Sequence, residues 1–280
     1  MVTRLPIPEA CSLDLVDNVV LERANGRNAA YFNGLAVEWR QRVEHYLAQR
    51  GNPETVPNWP AIMANRTRFL TLYNSPAEVS SQAPILKQLR DRKLRFCPAC
   101  GEEGTPNTLD HYLPKDGYPH FAITPVNLAP MCDICQSAKG TETVDEDGHR
   151  IFLHPYYDEF LTAQVIRLVI GRPFKAPQNF VLRPDLDLPD DLAALVQRHI
   201  RGLELESRYG IFFREEYLRL LRLTQEARAA GRDIREDIPT FKRMHEMRAP
   251  NLWPHIFFSA VVDDAELLEY LANGELPEFL

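Results

Sequence analysis

The sequence predicts an α+β protein: a small module of short strands and turns embedded between mainly helical flanking regions. Three observations carry that prediction. Apolar residues recur at helical spacing on both sides, with Phe32, Leu35, Trp39, Val43 and Tyr46 early and Leu192, Leu195, Val196, His199 and Leu203 late. From Phe96 to about Asp158 the chain is instead rich in Pro, Gly and Cys and too poor in apolar residues to build its own core. Four of the five cysteines fall in that middle segment as two Cys-x-x-Cys pairs. The reading divides the chain into a helical region over 1–90, a module over 91–158, and a short β segment followed by helices over 159–280.

Taken in order, the first helix carries Phe32 to Tyr46 on one face, and Gly51 is placed to stop it. A second helix is expected from Ser75-Pro76-Ala77-Glu78, with Ser75 as N-cap, Pro76 in the first turn and Glu78 closing a capping box. It would turn Ile85, Leu86 and Leu89 to the core and end in a basic run, Lys87 to Arg95, that holds one acid, Asp91. Beyond the module, Ala163 to Ile170 reads as a strand pairing with Phe180 to Leu182. Phe213, Tyr217, Leu220 and Leu221 mark a further helix, and a short last one runs from Asp264 to Leu271 before Gly274.

The 280 residues, 45% hydrophobic and 25% charged, have the make-up of a globular protein with a buried core. No apolar run approaches the ~18 residues of a membrane span, and Pro6 and Pro8 interrupt the start where a signal peptide needs an apolar stretch. A cytoplasmic location is therefore expected, with no membrane partner. In that compartment paired cysteines mean metal and not disulfides. The net charge of -7 excludes a surface that binds nucleic acid all over, so any such binding is local.

Cys97-Pro-Ala-Cys100 and Cys132-Asp-Ile-Cys135 are two knuckles whose four thiolates suit one tetrahedral structural Zn²⁺. A closed shell of thiolates holds the fold and leaves no position for chemistry. Cys11 stands outside the pattern as a plain thiol.

Between and after the knuckles stand Thr108-Leu109-Asp110-His111, then Val126-Asn127-Leu128, then Gln136-Ser137-Ala138-Lys139-Gly140. At these residues the sequence resembles the HNH endonuclease family in its tetracysteine form. That family's pattern is Cys-x-x-Cys, an Asp-His or His-His pair, an Asn-Leu pair, Cys-x-x-Cys-Asn and a following Lys. The match spans about a sixth of the chain, in order. The resemblance implies a ββα-metal site that cuts nucleic acid, most simply DNA. His111 would be the general base, Asp110 the ligand of one Mg²⁺ or Mn²⁺, and Asn127 a buttress of the loop that orients the His111 imidazole. The chemistry asks for such a set: an imidazole with an ordinary pKa of about 6.5 can deprotonate water, and a hard carboxylate can hold the cation.

One position departs from the family. Gln136 stands where Asn or His completes the catalytic metal site, one methylene longer than Asn. The ion would then sit in shifted geometry, bind through a water, or take another ligand, for which His154 is the candidate. Lys115 and Lys139 are candidates for phosphate contacts, and the acidic turn Glu142 to Asp147 should face away from a bound strand. Resemblance to stand-alone bacterial HNH effectors also implies a nuclease licensed by a protein partner, such as an ATPase of an antiphage or mobile-element system. The competing expectation is a zinc-ribbon adaptor that binds nucleic acid or protein without cutting. Gln136 is the residue that favours it.

Overall fold

The computed structural model describes residues 3–278 and is α+β, with ten α-helices and two small two-stranded sheets among those residues. None of its helices is long and apolar enough to cross a membrane. The chain divides into two compact units, one formed by residues 5–97 and 104–157, the other by 1–4, 98–103 and 158–280.

The first unit opens with α1 (Ser12–Glu22) and α2 (Ala29–Ala48), which pack together. The expected apolar face of α2 is buried through Phe32, Trp39, Val43 and Tyr46. Gly51 follows in the left-handed region at φ 69°, its N–H closing on the Tyr46 carbonyl at 2.9 Å. A Cβ there would stand 2.7 Å from the Tyr46 ring, so only glycine fits.

The next helices differ from expectation. α3 (Thr67–Asn74) ends where the second helix was expected to begin, and Ser75 is its C-cap. α4 (Gln82–Arg90) starts later, after a turn. The cause is local: Pro76 pushes Ser75 out of the helical region, so Ser-Pro closes a helix here. The start of α4 is held from outside, by the Glu22 carboxylate accepting from the Ser81 N–H at 2.8 Å. Leu86 and Leu89 of α4 do face the core, with Ile85 half-buried at its edge.

β1 (Thr108–His111) and β2 (Leu128–Met131) then pair antiparallel, with Asp110 opposite Ala129 and His111 opposite Leu128. The short α5 (Asp133–Lys139) follows at once. Leu86 and Leu89 pack on Leu109 of β1 and Leu128 of β2, which seats this β-β-α segment on the helical arm. The acidic turn is an exposed hairpin, closed by a bridge between Val144 and Arg150 with Gly148 at φ 82°.

In the second unit β3 (Ile166–Ile170) pairs antiparallel with β4 (Phe180–Pro184), close to the expected strands. α6 (Asp190–Gly202) and α7 (Leu205–Ala229) pack on β4, and α8 (Ile238–Glu246) on α9 (Trp253–Asp263), which covers β3. α10 (Ala265–Asn273) is the expected last helix, its N-terminus capped by the Asp264 carboxylate at 3.1 and 3.0 Å from the Glu266 and Leu267 N–H groups. Within this unit the 98–103 segment is tied down by backbone acceptors. The His199 imidazole donates to the Ala99 carbonyl at 2.8 Å, and the Trp253 indole to that of Cys100 at 2.7 Å.

Candidate functional site

The four cysteines of the two knuckles come together: the Sγ atoms of Cys97, Cys100, Cys132 and Cys135 all lie within 4.8 Å of one another. Thiolates at about 2.3 Å from a tetrahedral Zn²⁺ stand close to this spacing, so the group can bind a metal such as zinc. The surroundings suit sulfur carrying negative charge. The Cys132 N–H points to Cys97 Sγ at 3.3 Å and the Cys135 N–H to Cys132 Sγ at 3.4 Å. An Arg208 guanidinium nitrogen lies 3.6 Å from Cys100 Sγ and is paired with the Glu102 carboxylate, which itself stands 4.0 Å from that sulfur. Cys11 is exposed and takes no part.

At the end of β1, successive side chains leave on opposite faces, and Asp110 and His111 accordingly have different neighbours. The Asp110 carboxylate, 6% exposed, meets two side chains of α5. Its Oδ2 is 3.2 Å from Lys139 Nζ, and its Oδ1 is 3.5 Å from the Gln136 amide nitrogen. The amide is assigned with its nitrogen toward Asp110, and a turn about its last torsion would present the oxygen instead. Asp110 and Gln136 are thus within reach of one ion, and both offer the hard oxygen donors that Mg²⁺ takes.

His111 is 5% exposed. Its Nε2 lies 2.9 Å from the Ala122 carbonyl, and its ring meets the edge of Tyr73 with centroids 4.4 Å apart. A carbonyl only accepts, so Nε2 carries the proton and Nδ1 the lone pair. Burial pushes the imidazole pKa down to about 3; the Ala122 bond opposes that shift, and the charges of Lys115, Lys139 and Arg90 add to it.

Asn127 is fully buried and does hold the loop, but through the backbone and not through the imidazole. Its Oδ1 accepts from the Leu113 N–H at 2.8 Å, and its Nδ2 donates to the carbonyls of Leu113 and Phe121 at 3.1 and 3.2 Å. His111 is oriented at one remove, through the loop that presents the Ala122 carbonyl.

His154 is placed differently from a metal ligand. Its Nδ1 accepts from the Tyr156 N–H at 3.2 Å, so Nε2 bears the proton and donates to the Tyr46 hydroxyl at 3.2 Å. Tyr46 in turn donates to Asn127 Oδ1 at 3.2 Å. Both ring nitrogens are engaged, and the ring packs on Tyr112 at 4.1 Å. His154 extends the network that holds Asn127, and burial lowers its pKa well below the ordinary value.

The two lysines part company. Lys139, expected at a phosphate, is 2% exposed and is bound inward: besides Asp110, its ammonium donates to the His111 carbonyl at 2.8 Å. Lys115 is half-buried on the loop, and its charge is felt at His111. Sequence reasoning missed Tyr73, because it lies on a helix that the Ser-Pro signal hid. It missed the inward turn of Lys139 because spacing does not reveal which cations are paired.

No family model matches the chain, and no solved structure matches it. Protein ea31 of Escherichia phage lambda is 36% identical over 63 residues, 22% of this chain. The chain matches only 21% of that protein's length.

Proposed function

We propose that the chain is a metal-dependent HNH endonuclease with a ββα-metal site that hydrolyses phosphodiester bonds of DNA. The observation that carries this reading is the meeting of Asp110 and Gln136 at 3.5 Å, next to His111, in the order β1, β2, α5 and beside the four-cysteine cluster. Asp110 and Gln136 would hold a Mg²⁺ or Mn²⁺ ion, which would supply positive charge against the phosphoryl oxygens. His111 would take the proton of the attacking water at Nδ1, while Ala122 keeps the other nitrogen protonated. Asn127 keeps in register the loop that presents the Ala122 carbonyl to His111.

The test combines metal analysis with turnover. Zinc-loaded protein should carry one zinc and nick supercoiled plasmid when Mg²⁺ or Mn²⁺ is supplied, and a sample that binds zinc alone and never nicks would defeat the reading.

A second reading has its own observation. The Lys139 ammonium occupies the Asp110 carboxylate, and His111 is closed off with a pKa near 3, which is what a non-catalytic zinc-ribbon adaptor would show. The same closure suits a nuclease that a protein partner licenses, such as the ATPase of a defence system. The plasmid assay repeated with the partner separates these two.

A further inference from the structure

The first unit holds a cation that neither the fold nor the proposed metal site uses. In the basic run that ends α4, Lys87 is paired with Asp91, and the Arg92 guanidinium reaches the Tyr156 hydroxyl and the Pro6 carbonyl at 3.3 and 3.4 Å. Lys139 is bound to Asp110. Arg90 is exposed, and among the described residues it has no carboxylate partner. Its guanidinium instead lies over the Tyr73 ring, 5.1 Å from the centroid.

That ring is the one packed against His111 at 4.4 Å, and it is fixed at its far end by a 3.0 Å hydrogen bond from the Tyr73 hydroxyl to the Leu109 carbonyl. The guanidinium is therefore no farther from the His111 ring than about one Debye length at 0.1 M salt, roughly 10 Å. A planar guanidinium stacked on an aromatic face has lost much of its freedom before any ligand arrives, and its donor fork matches a phosphate.

We infer that Arg90, seated on Tyr73 beside His111, grips a backbone phosphate of duplex DNA bound at this site. The inference rests on the nuclease reading of the site and adds to it a contact from the helical arm, outside the stretch that resembles HNH enzymes. Tyr73 is a positioning residue: it touches His111 and carries Arg90, and makes no contact with substrate itself.

The test reads binding and not turnover. Zinc-loaded wild type and the variants Arg90→Gln, Arg90→Lys and Lys93→Gln are titrated into a labelled DNA duplex, followed by fluorescence anisotropy from 50 to 200 mM salt with no Mg²⁺ or Mn²⁺ added. Loss of one phosphate contact lowers the slope of log K against log salt by about 0.9. Arg90→Gln should show that fall, Arg90→Lys should keep the wild-type slope with weaker binding, and Lys93→Gln, an exposed cation of the same run, should change the slope less. An unchanged slope in Arg90→Gln overturns the inference, as does an equal fall in Lys93→Gln, which would mark a diffuse field, or a wild type that does not bind the duplex. Plasmid nicking is scored separately. Nicking with an Arg90-independent slope sinks this contact alone, and an Arg90-dependent slope without nicking sinks the enzyme and leaves the contact standing.

Discussion

At the scale of single residues, His111 and Asn127 are close together in the fold and should fail in different ways. His111→Ala removes the proposed base and leaves zinc and fold in place, so nicking should fall by about 10² to 10⁴. Asp110→Ala should lose as much, but excess Mn²⁺ should partly restore it by mass action, which the metal cannot do for a missing imidazole. Wild-type nicking by His111→Ala in a nuclease-free preparation would end the mechanism. Asn127→Ala is chiefly a stability variant, because it strands the buried Leu113 N–H and the Leu113 carbonyl, while the Phe121 carbonyl keeps the Thr124 N–H at 3.1 Å. Each stranded group costs about 1 to 3 kcal/mol, so its melting temperature should drop by several degrees while activity below the transition falls less than in His111→Ala. That these residues come together was legible in the sequence as an ordered motif. Which atoms they touch was not, since Asn127 acts through main-chain groups that any sequence supplies.

At the scale of elements, the cysteine knuckles frame β1, β2 and α5, none longer than seven residues. Elements that short do not persist by their own hydrogen bonds, and the free energy of binding a metal such as zinc at the four cysteines would then be folding free energy for the segment. Cys97→Ser and Cys132→Ser should each lose the metal and the ordered segment, read by elemental analysis and by the loss of a thermal transition. Retention of both zinc and melting temperature would refute the four-cysteine site. The helices show where patterning alone runs out. α2 and Gly51 were legible because a long apolar face and a left-handed stop agree. α3 was hidden because Ser75-Pro76 reads as a start in isolation and acts as an end, and α4 begins where Glu22, far away in sequence, reaches the Ser81 N–H. Capping from a distant element leaves no local trace.

Across the molecule, several imidazoles are buried in the neutral form, and this sets a direction for stability with pH. Burial holds His111 and His120 near a pKa of about 3 and puts His154 well below its usual value. The unfolded chain takes up protons on these groups below about pH 6.5, whereas the folded chain keeps His111 and His120 neutral until near pH 3 and His154 neutral well below its ordinary range. Stability should therefore be flat above about pH 7 and fall on acidification, by about 1.4 kcal/mol per pH unit for each such histidine. His120 isolates the effect from zinc release, because neither ring nitrogen has a hydrogen-bond partner and its ring packs among Trp59, Tyr118 and Phe121. His120→Leu should make the decline of melting temperature between pH 6.5 and 4.5 shallower, and an unchanged slope would assign the acid sensitivity elsewhere.

The hydrogen bonds on the first knuckle bear on whether the motif is portable. Residues 97–140 look like a cassette that could be cut out and moved. Yet the carbonyls of Ala99 and Cys100 are held by His199 and Trp253, and Cys100 Sγ has Arg208 beside it. A fragment ending at Tyr157 keeps every cysteine and every proposed site residue, and leaves all three of those donors behind. Such a fragment should take up zinc more weakly than the full chain when competed against a chelator. In engineering terms, the knuckle is not a detachable part: anyone grafting this site onto another scaffold would need to rebuild the carboxy-terminal donors along with it.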